Sequence, residues 1–242
     1  MKAIRNNIPN AITSLNLLFG CMACIMAFHC FDPMCGTSLK GYQWAYILIT
    51  LSALADFLDG LVARALHAVS NIGAELDSLA DLVSFGLAPA LVLYNIMLGQ
   101  GAGHWALIAL LLPVFGAIRL ARYNVDPTQG TVFTGLPIPA NAIFWIGFTA
   151  RYAMHFIPLT AVVLLIVALS MMMVSNLRMF SLKMHNLTSI KQNWAQYLLI
   201  VATVAFVVVE GLFGLAFAII LYVLLSIIKK TKANDQRLMT RD

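Results

Sequence analysis

The stretch Ala218-Ile-Ile-Leu-Tyr-Val-Leu-Leu-Ser-Ile-Ile228 carries no charge and has no polar face. A strand of a membrane barrel alternates apolar and polar residues. A run that is apolar on every side reads instead as a helix whose surroundings are lipid. The rest of the chain has the same character. Of its 242 residues, 61 % are apolar and only 10 % charged, and the mean hydropathy is +0.88. Soluble domains average about 25 % charged residues. A chain this poor in charge could not cover itself with a polar surface. A soluble enzyme, a disordered chain and a disulfide-stapled secreted module are therefore excluded.

Eight apolar stretches are read, at about 9–29, 43–64, 77–98, 104–121, 135–152, 158–175, 194–210 and 211–228. A spanning helix needs about 20 residues. Most breaks have a physical cause. Asp32-Pro33 and Gly36 interrupt the first loop, and Gly99, Gly101 and Gly103 separate the third stretch from the fourth. Pro127, Gly130 and Gly135 mark a loop, Pro158 starts a helix, and Glu210-Gly211 divides the last two stretches. The expectation is all-α: a polytopic membrane bundle of about eight transmembrane helices, forming a single domain over residues 1–242 without internal repeats. No cleavable signal peptide is read, because no small-residue cleavage site follows a short apolar core near Met1–Asn10.

Charge placement predicts sidedness. Lys2, Arg5, Arg64, Arg119, Arg122, Arg178, Lys183, Lys191, Lys229, Lys230, Lys232, Arg237 and Arg241 fall on the side of the termini, and only Lys40 and Arg151 on the other. The positive-inside rule then puts both termini in the cytoplasm of a cell with this protein in its (inner) membrane. The net charge of +5 reports that topology and suits anionic headgroups. No basic stripe with interleaved aromatics is present, so no nucleic-acid partner is expected.

Four of the ten acidic residues, Asp56, Asp59, Asp77 and Asp81, lie within or at the ends of the second and third stretches. A charged Asp at the centre of a spanning helix costs about 3 kcal/mol on insertion scales. Asp77 could be explained as a helix cap, but Asp56 lies deep in a helical pattern. Asp56 and Asp59 share one helix face at i, i+3, and Asp77 and Asp81 share another at i, i+4. The two helices run antiparallel through a short loop at about 65–76. Asp59 is five residues from Arg64, or roughly 8 Å at 1.5 Å per residue. Four carboxylates thus converge just inside the cytoplasmic boundary. Alone they would repel, and all-oxygen ligation suits Mg²⁺ or Mn²⁺. The number of carboxylates suffices for two ions. Gly60 and Ala63 stand beside them and either admit a ligand or let another helix pack closely. Arg64 either reaches a phosphate with its planar fork or anchors the cytoplasmic end. Gly73 is expected to supply a turn with positive φ.

The series Asp56-x2-Asp59-Gly60-x2-Ala63-Arg64-x8-Gly73-x3-Asp77-x3-Asp81 resembles the full signature of the CDP-alcohol phosphotransferases. The resemblance implies that fold, divalent metal, and transfer of a phosphoryl-linked group from a CDP-linked donor with release of CMP. It implies metal-holding roles for Asp56, Asp59 and Asp77. Asp81 would be the general base and also approach the metal. Gly60 and Arg64 would contact nucleotide and diphosphate, and Ser70 is the expected contact from the connecting loop. Ile8-Pro9-Asn10-Ala11-Ile12-Thr13 resembles the family's Pro-Asn-x-x-Thr opening, which puts Asn10 and Thr13 near the CDP group along with Ala63 and Gly73. Asp81-Leu-Val-Ser-Phe-Gly-Leu-Ala-Pro-Ala90, Arg119-Leu-Ala-Arg-Tyr-Asn124 and Phe133-Thr-Gly-Leu-Pro-Ile-Pro-Ala140 are similar to the branch of the family that uses CDP-diacylglycerol and L-serine. Arg119, Arg122 and Asn124 are then candidates for the acceptor, with positive-inside anchoring as their other reading. The similarity covers a catalytic core of about 5–145. Helices of about 158–228 look generic, and the family implies a homodimer among membrane lipids.

Two rivals are carried. One keeps the fold and exchanges serine for glycerol phosphate, inositol phosphate or choline. The other is a divalent-cation transporter, which would want acids or broken helices near the midplane. Other features are read as structural. Cys21 and Cys24 pack in the first helix, His67 is a solvated loop residue, Met171–Met173 are filler, and Glu210 sits at an interface. Cys30 and Cys35 flank the first external loop, where an oxidising compartment permits a disulfide.

Overall fold

The computed structural model describes residues 2–68, 70–125, 133–180 and 190–239. Pro127 and Gly130 of the expected loop, and Lys183 and Arg241 of the basic set, lie outside the described residues. Helix α1 (Lys2–Phe28) is followed by α2 (Gly41–Ala65) and α3 (Asn71–Asp81). A π-helical turn (Leu82–Leu87) carries α3 directly into α4 (Ala88–Gly99). A 3-10 segment (Gly103–Leu110) leads into α5 (Leu111–Val125), and α6 (Ile138–Tyr152), α7 (Leu159–Val174), α8 (Ile190–Glu210) and α9 (Gly214–Met239) complete the bundle. Two short strands, β1 (Phe133–Thr134) and β2 (Arg178–Met179), pair antiparallel with Phe133 opposite Met179.

Each expected span coincides with a helical rod, but the ends differ for local reasons. The third begins at Asn71 rather than near 77, because Ser70 caps it. The fifth begins at Ile138 rather than 135, because Gly135 has φ +73° and Pro137 is extended at the N-cap. Among the described residues, five stretches are long and apolar enough to cross a bilayer: Asn7–Phe28, Gly41–Ala65, Asn71–Gly99, Gly103–Val125 and Asn193–Ile228; Leu159–Val174 is shorter. The last long stretch is two helices. The chain reverses at Gly211 (φ +63°), and the rings of Phe206 and Phe217 face each other across the hairpin at 5.8 Å.

Helix α1 packs on α2, α3 and α4, while α6 packs on α4 and α9. Helix α6 carries much of the core: Ile138, Phe144, Trp145, Phe148 and Tyr152 are all buried. Its polar groups are paired. Trp145 Nε1 donates to Asn141 Oδ1 at 3.1 Å, and Tyr46 Oη donates to Thr149 Oγ1 at 2.8 Å. Large apolar side chains cover the outside instead, as with Leu164, Val201, Val208 and Val209. Such an exterior belongs in lipid, and the protein is a polytopic helical membrane bundle. Cys30 and Cys35 are free thiols rather than a disulfide. Cys30 is buried, and burial pushes its thiol up to about 12.

Candidate active site

The site begins with how α2 ends. His67 adopts the left-handed conformation (φ +50°). Its N–H reaches the Arg64 carbonyl at 3.3 Å, and the Ala68 N–H reaches the Ala63 carbonyl at 2.9 Å. That is a Schellman closure, with a histidine where glycine is usual. Ser70 Oγ then accepts the Gly73 N–H at 3.0 Å and caps α3. Gly73 therefore supplies no positive-φ turn: it is helical within α3, and His67 takes the strained conformation. What Gly73 supplies is close approach. A Cβ there would lie 2.8 Å from Asn10 Oδ1 and 3.0 Å from Ser70 Oγ.

This turn lets Asp77 of α3 reach toward Asp56 and Asp59 of α2, while both helices take their main packing from α1. One carboxylate oxygen each from Asp56, Asp59 and Asp77 lie within 4.8 Å of one another. Asp59 is buried, and Asp56 and Asp77 are half-buried. Helix α1 contributes Thr13, buried at the same place, whose Oγ1 donates to Asp59 Oδ2 at 2.6 Å. Asp81 stands one turn beyond Asp77, within electrostatic reach of Asp56 and Asp77. It accepts a long hydrogen bond, 3.4 Å, from Asn16 Nδ2.

The donor set fits a metal ion. Three hard carboxylates converge, and Asp77 Oδ1 is buried with no hydrogen-bond partner among the described residues. Leaving a buried acceptor unpaired is costly unless a cation or donor meets it. The aspartate triad can therefore hold a metal ion, and its all-oxygen character suits a hard cation.

Beside the triad opens a cavity of about 140 Å³, lined by Asn10, Thr13, Asp59, Gly60, Ala63, Ser70, Gly73 and Asp77, with Pro9, Ala68 and Ala74 completing the wall. Arg64 is exposed at its margin, with Nη2 3.9 Å from the position of a Cβ on Gly60. A second, larger cavity of about 750 Å³ lies between α5, α7 and the strand pair, lined in part by Arg119, Arg122, Thr134, Ser175 and Asn176. Arg119 is half-buried, its Nε has no hydrogen-bond partner among the described residues, and Asp81 and Tyr222 are within its electrostatic reach. Arg122 Nη1 donates to the Val174 carbonyl at 2.9 Å. Asn124 does not line this cavity. Its Nδ2 reaches Ser78 Oγ at 3.1 Å and Glu75 Oε2 at 3.4 Å, tying α5 to α3.

A family model described as CDP-alcohol phosphatidyltransferase matches residues 6–228. The chain belongs to the CDP-alcohol phosphatidyltransferase family. It is similar to proteins named CDP-diacylglycerol–serine O-phosphatidyltransferase in several organisms. The Helicobacter pylori protein is 32 % identical over 239 residues, covering 91 % of this chain and 90 % of that one. The Mycobacterium tuberculosis protein is 41 % identical over 150 residues, covering 59 % of this chain and 49 % of the relative. The Methanocaldococcus jannaschii protein is 40 % identical over 142 residues, with 58 % and 59 % covered. The matched part of this chain thus spans about half the length of the mycobacterial relatives. Family membership and the apolar helices together make it an integral membrane protein.

Two residues near this site do not stand out in the sequence pattern. Asn16 is one. Its signal is an amide three residues after Thr13, hence on the same helix face. Tyr222 is the other: it does not line the cavity but comes within electrostatic reach of Arg119, because only the folded bundle brings α9 there.

Proposed function

We propose that this protein transfers the phosphatidyl group of CDP-diacylglycerol to the hydroxyl of L-serine, giving phosphatidylserine and CMP. The observation that carries the reading is the approach of the Asp56, Asp59 and Asp77 oxygens to within 4.8 Å beside the cavity formed by α1, α2 and α3. The names of the relatives favour serine as acceptor. The single domain of residues 1–242 then has its catalytic core at about 5–145, with the helices of 158–228 as support.

Asp56, Asp59 and Asp77 would hold Mg²⁺ or Mn²⁺, as two ions when Asp81 also contributes. Bound there, the metal supplies Lewis-acid stabilisation of charge on the diphosphate. Asn10, Gly60, Ala63, Ser70 and Gly73 shape a recess whose small side chains admit the backbone-hugging CDP group. Arg64 offers donors to phosphate oxygens at its rim. Thr13 fixes the orientation of Asp59. Asp81 accepts the proton of the serine hydroxyl as that oxygen bonds to the lipid-side phosphorus. The bond from this phosphorus to CMP breaks, and CMP leaves with the electron pair. Arg119 and Arg122 receive the serine carboxylate, with Asn124 contributing at the same helix end.

The diacyl tails stay in lipid while cytidine and serine arrive from water, so a site at the boundary is required. Thirteen basic residues against two across the sequence support a reading in which that boundary, and both termini, lie at the cytoplasmic face of the inner membrane. The protein acts there as a homodimer among membrane lipids. The second cavity, at about 750 Å³, is larger than serine alone fills. This favours, as a second reading, the same chemistry with a bulkier acceptor, glycerol phosphate or inositol phosphate; choline, no larger than serine, gains nothing from it.

The test is purified protein with CDP-diacylglycerol, Mg²⁺ or Mn²⁺, and a panel of these alcohols, with CMP measured. Serine-dependent CMP release that EDTA abolishes and either ion restores is the expected result. No CMP with serine, or release indifferent to metal, overturns the reading.

A further inference from the structure

Asn16 lies in the middle of α1 and is wholly buried, yet the transfer just described makes no use of it. Its backbone carbonyl is gripped twice. Ser52 Oγ from α2 donates to it at 3.1 Å, and Ser84 Oγ from the π-helical turn donates at 3.0 Å. Both serines are themselves fully buried. Gly20, one turn along α1, makes the approach of the π-helical turn feasible, since a Cβ there would collide with Ser84.

The π-helical turn begins at Leu82, the residue after Asp81. Such a turn widens the helix by one residue and re-aims the faces on either side of it. Ser84 thus ties the turn that follows Asp81 to the backbone of α1. Three elements meet at Asn16, and its side chain is the one that reaches the fourth carboxylate.

The other end of the amide argues against simple packing. Asn16 Oδ1 is buried and has no hydrogen-bond partner among the described residues. A buried amide that serves structure alone satisfies donor and acceptor together. Here the donor is committed to Asp81 and the acceptor stands idle.

We propose that Asn16 is a positioning residue for the transfer: its amide engages one oxygen of Asp81 and leaves the other turned toward the acceptor hydroxyl. The inference rests on the reading of Asp81 as proton acceptor. Asn16 acts through Asp81 rather than on the metal triad, because its side chain is hydrogen-bonded to Asp81.

The test compares full-length Asn16→Leu, Asn16→Gln, Ser84→Ala and Asp81→Asn by steady-state CMP release and by thermal unfolding of the same preparations, using whichever alcohol of the panel the wild type accepts. Loss of an orienting partner of this kind lowers activity about 10–100-fold. Asn16→Leu is expected to lower kcat by that amount, while KM for CDP-diacylglycerol stays within about twofold, the mark of an interaction made in the transition state. Asn16→Gln keeps the donor and should recover part of the kcat; it also tests the idea should the leucine variant fail to fold. Ser84→Ala should lose less than Asn16→Leu. Wild-type kcat in Asn16→Leu overturns the proposal. So does a loss that Ser84→Ala matches, or one explained by a lowered Tm. Undiminished turnover in Asp81→Asn is a separate failure, of the proton-acceptor reading itself.

Discussion

The first three helices and the last four are held together by different chemistry. Among α1, α2 and α3, polar side chains cross from helix to helix: Thr13 to Asp59, Asn16 to Asp81, and Ser52 and Ser84 to the backbone of α1. Between α6 and the α8–α9 hairpin the contacts are small residues and rings. Gly147 sits against Ala216 and Leu212, and Phe213 and Phe217 meet edge-on at 4.8 Å. The aliphatic hydroxyls Thr203 and Ser226 of this hairpin turn back onto their own helices, to the carbonyls of Leu199 and Tyr222. In lipid the hydrophobic effect does not draw helices together, so packing and hydrogen bonds must. Crossing hydrogen bonds in membranes contribute only about 0.6 kcal/mol on average, whereas a charged Asp in a spanning helix costs about 3 kcal/mol. Cohesion alone gives no reason to assemble a carboxylate quartet. The polar region is built to hold groups in place and the apolar region to hold the bundle together, so damage to the two should be separable into rate and stability.

Asp77→Asn should do the most harm to rate. It removes a triad oxygen charge and leaves a site that no longer balances a divalent ion. Orienting partners one shell further out already cost about 10–100-fold, so CMP release should fall by more than that while Tm stays level or rises, because a repulsive charge is gone. A rate within tenfold of wild type would break the distinction.

Gly147→Leu is the mirror experiment. A Cβ at Gly147 would lie 2.7 Å from the Ala216 nitrogen and 2.9 Å from the Leu212 oxygen. Backbone cannot step aside as a side chain does, so α6 and α9 must part. Overpacking of this kind costs about 1–3 kcal/mol. Thermal unfolding should show the loss, while the activity of the molecules that remain folded stays within about twofold, since a stability effect leaves kcat untouched.

Thr13→Val sharpens the comparison on a smaller scale. The swap keeps the shape and deletes the hydroxyl that holds Asp59 Oδ2 at 2.6 Å. The expected loss of activity is about tenfold, at the low end for an orienting partner, with Mn²⁺ titration shifted to higher concentration. An unchanged titration would mean that Asp59 needs no help from α1.

The contrast also explains how far the sequence could be read. The pairing of Asp56 with Asp59 and of Asp77 with Asp81 was legible because helical spacing alone fixes a face, and a short loop forces antiparallel neighbours. The small residues of the cavity wall were legible for the same reason, being local to that loop. The turn itself was misassigned between Gly73 and His67. Composition favours glycine for positive φ, but the backbone closure from Ala68 to Ala63 put that conformation two residues after Ala65. Asn16 escaped notice because a lone amide in an apolar helix has no local partner, and its partners lie 36 to 68 residues away in the chain. The last helices look generic because the approach of Tyr222 to Arg119 exists only after the bundle closes. Tyr222 Oη is itself fixed on the Phe180 carbonyl at 3.0 Å.

Asn124→Ala is the smallest effect and the finest test of where the positioning region ends. The residue stands at the C-terminal end of α5 with Arg119 and Arg122, but its amide is already shared between Ser78 and Glu75 on α3. These bonds are exposed, where a hydrogen bond nets about 1 kcal/mol or less because water replaces it. A side chain so engaged can give an incoming carboxylate only what it takes from Ser78. The serine KM should therefore rise by about twofold, in keeping with a contribution of a few tenths of a kcal/mol, and kcat should not move. Arg119 differs in that its Nε is buried with no hydrogen-bond partner among the described residues, so Arg119→Gln should raise the same KM by more. If Asn124→Ala raises KM as much as Arg119→Gln, the amide must leave α3 for the substrate, and the rigid tether drawn between α3 and α5 would have to be redrawn as a moving part.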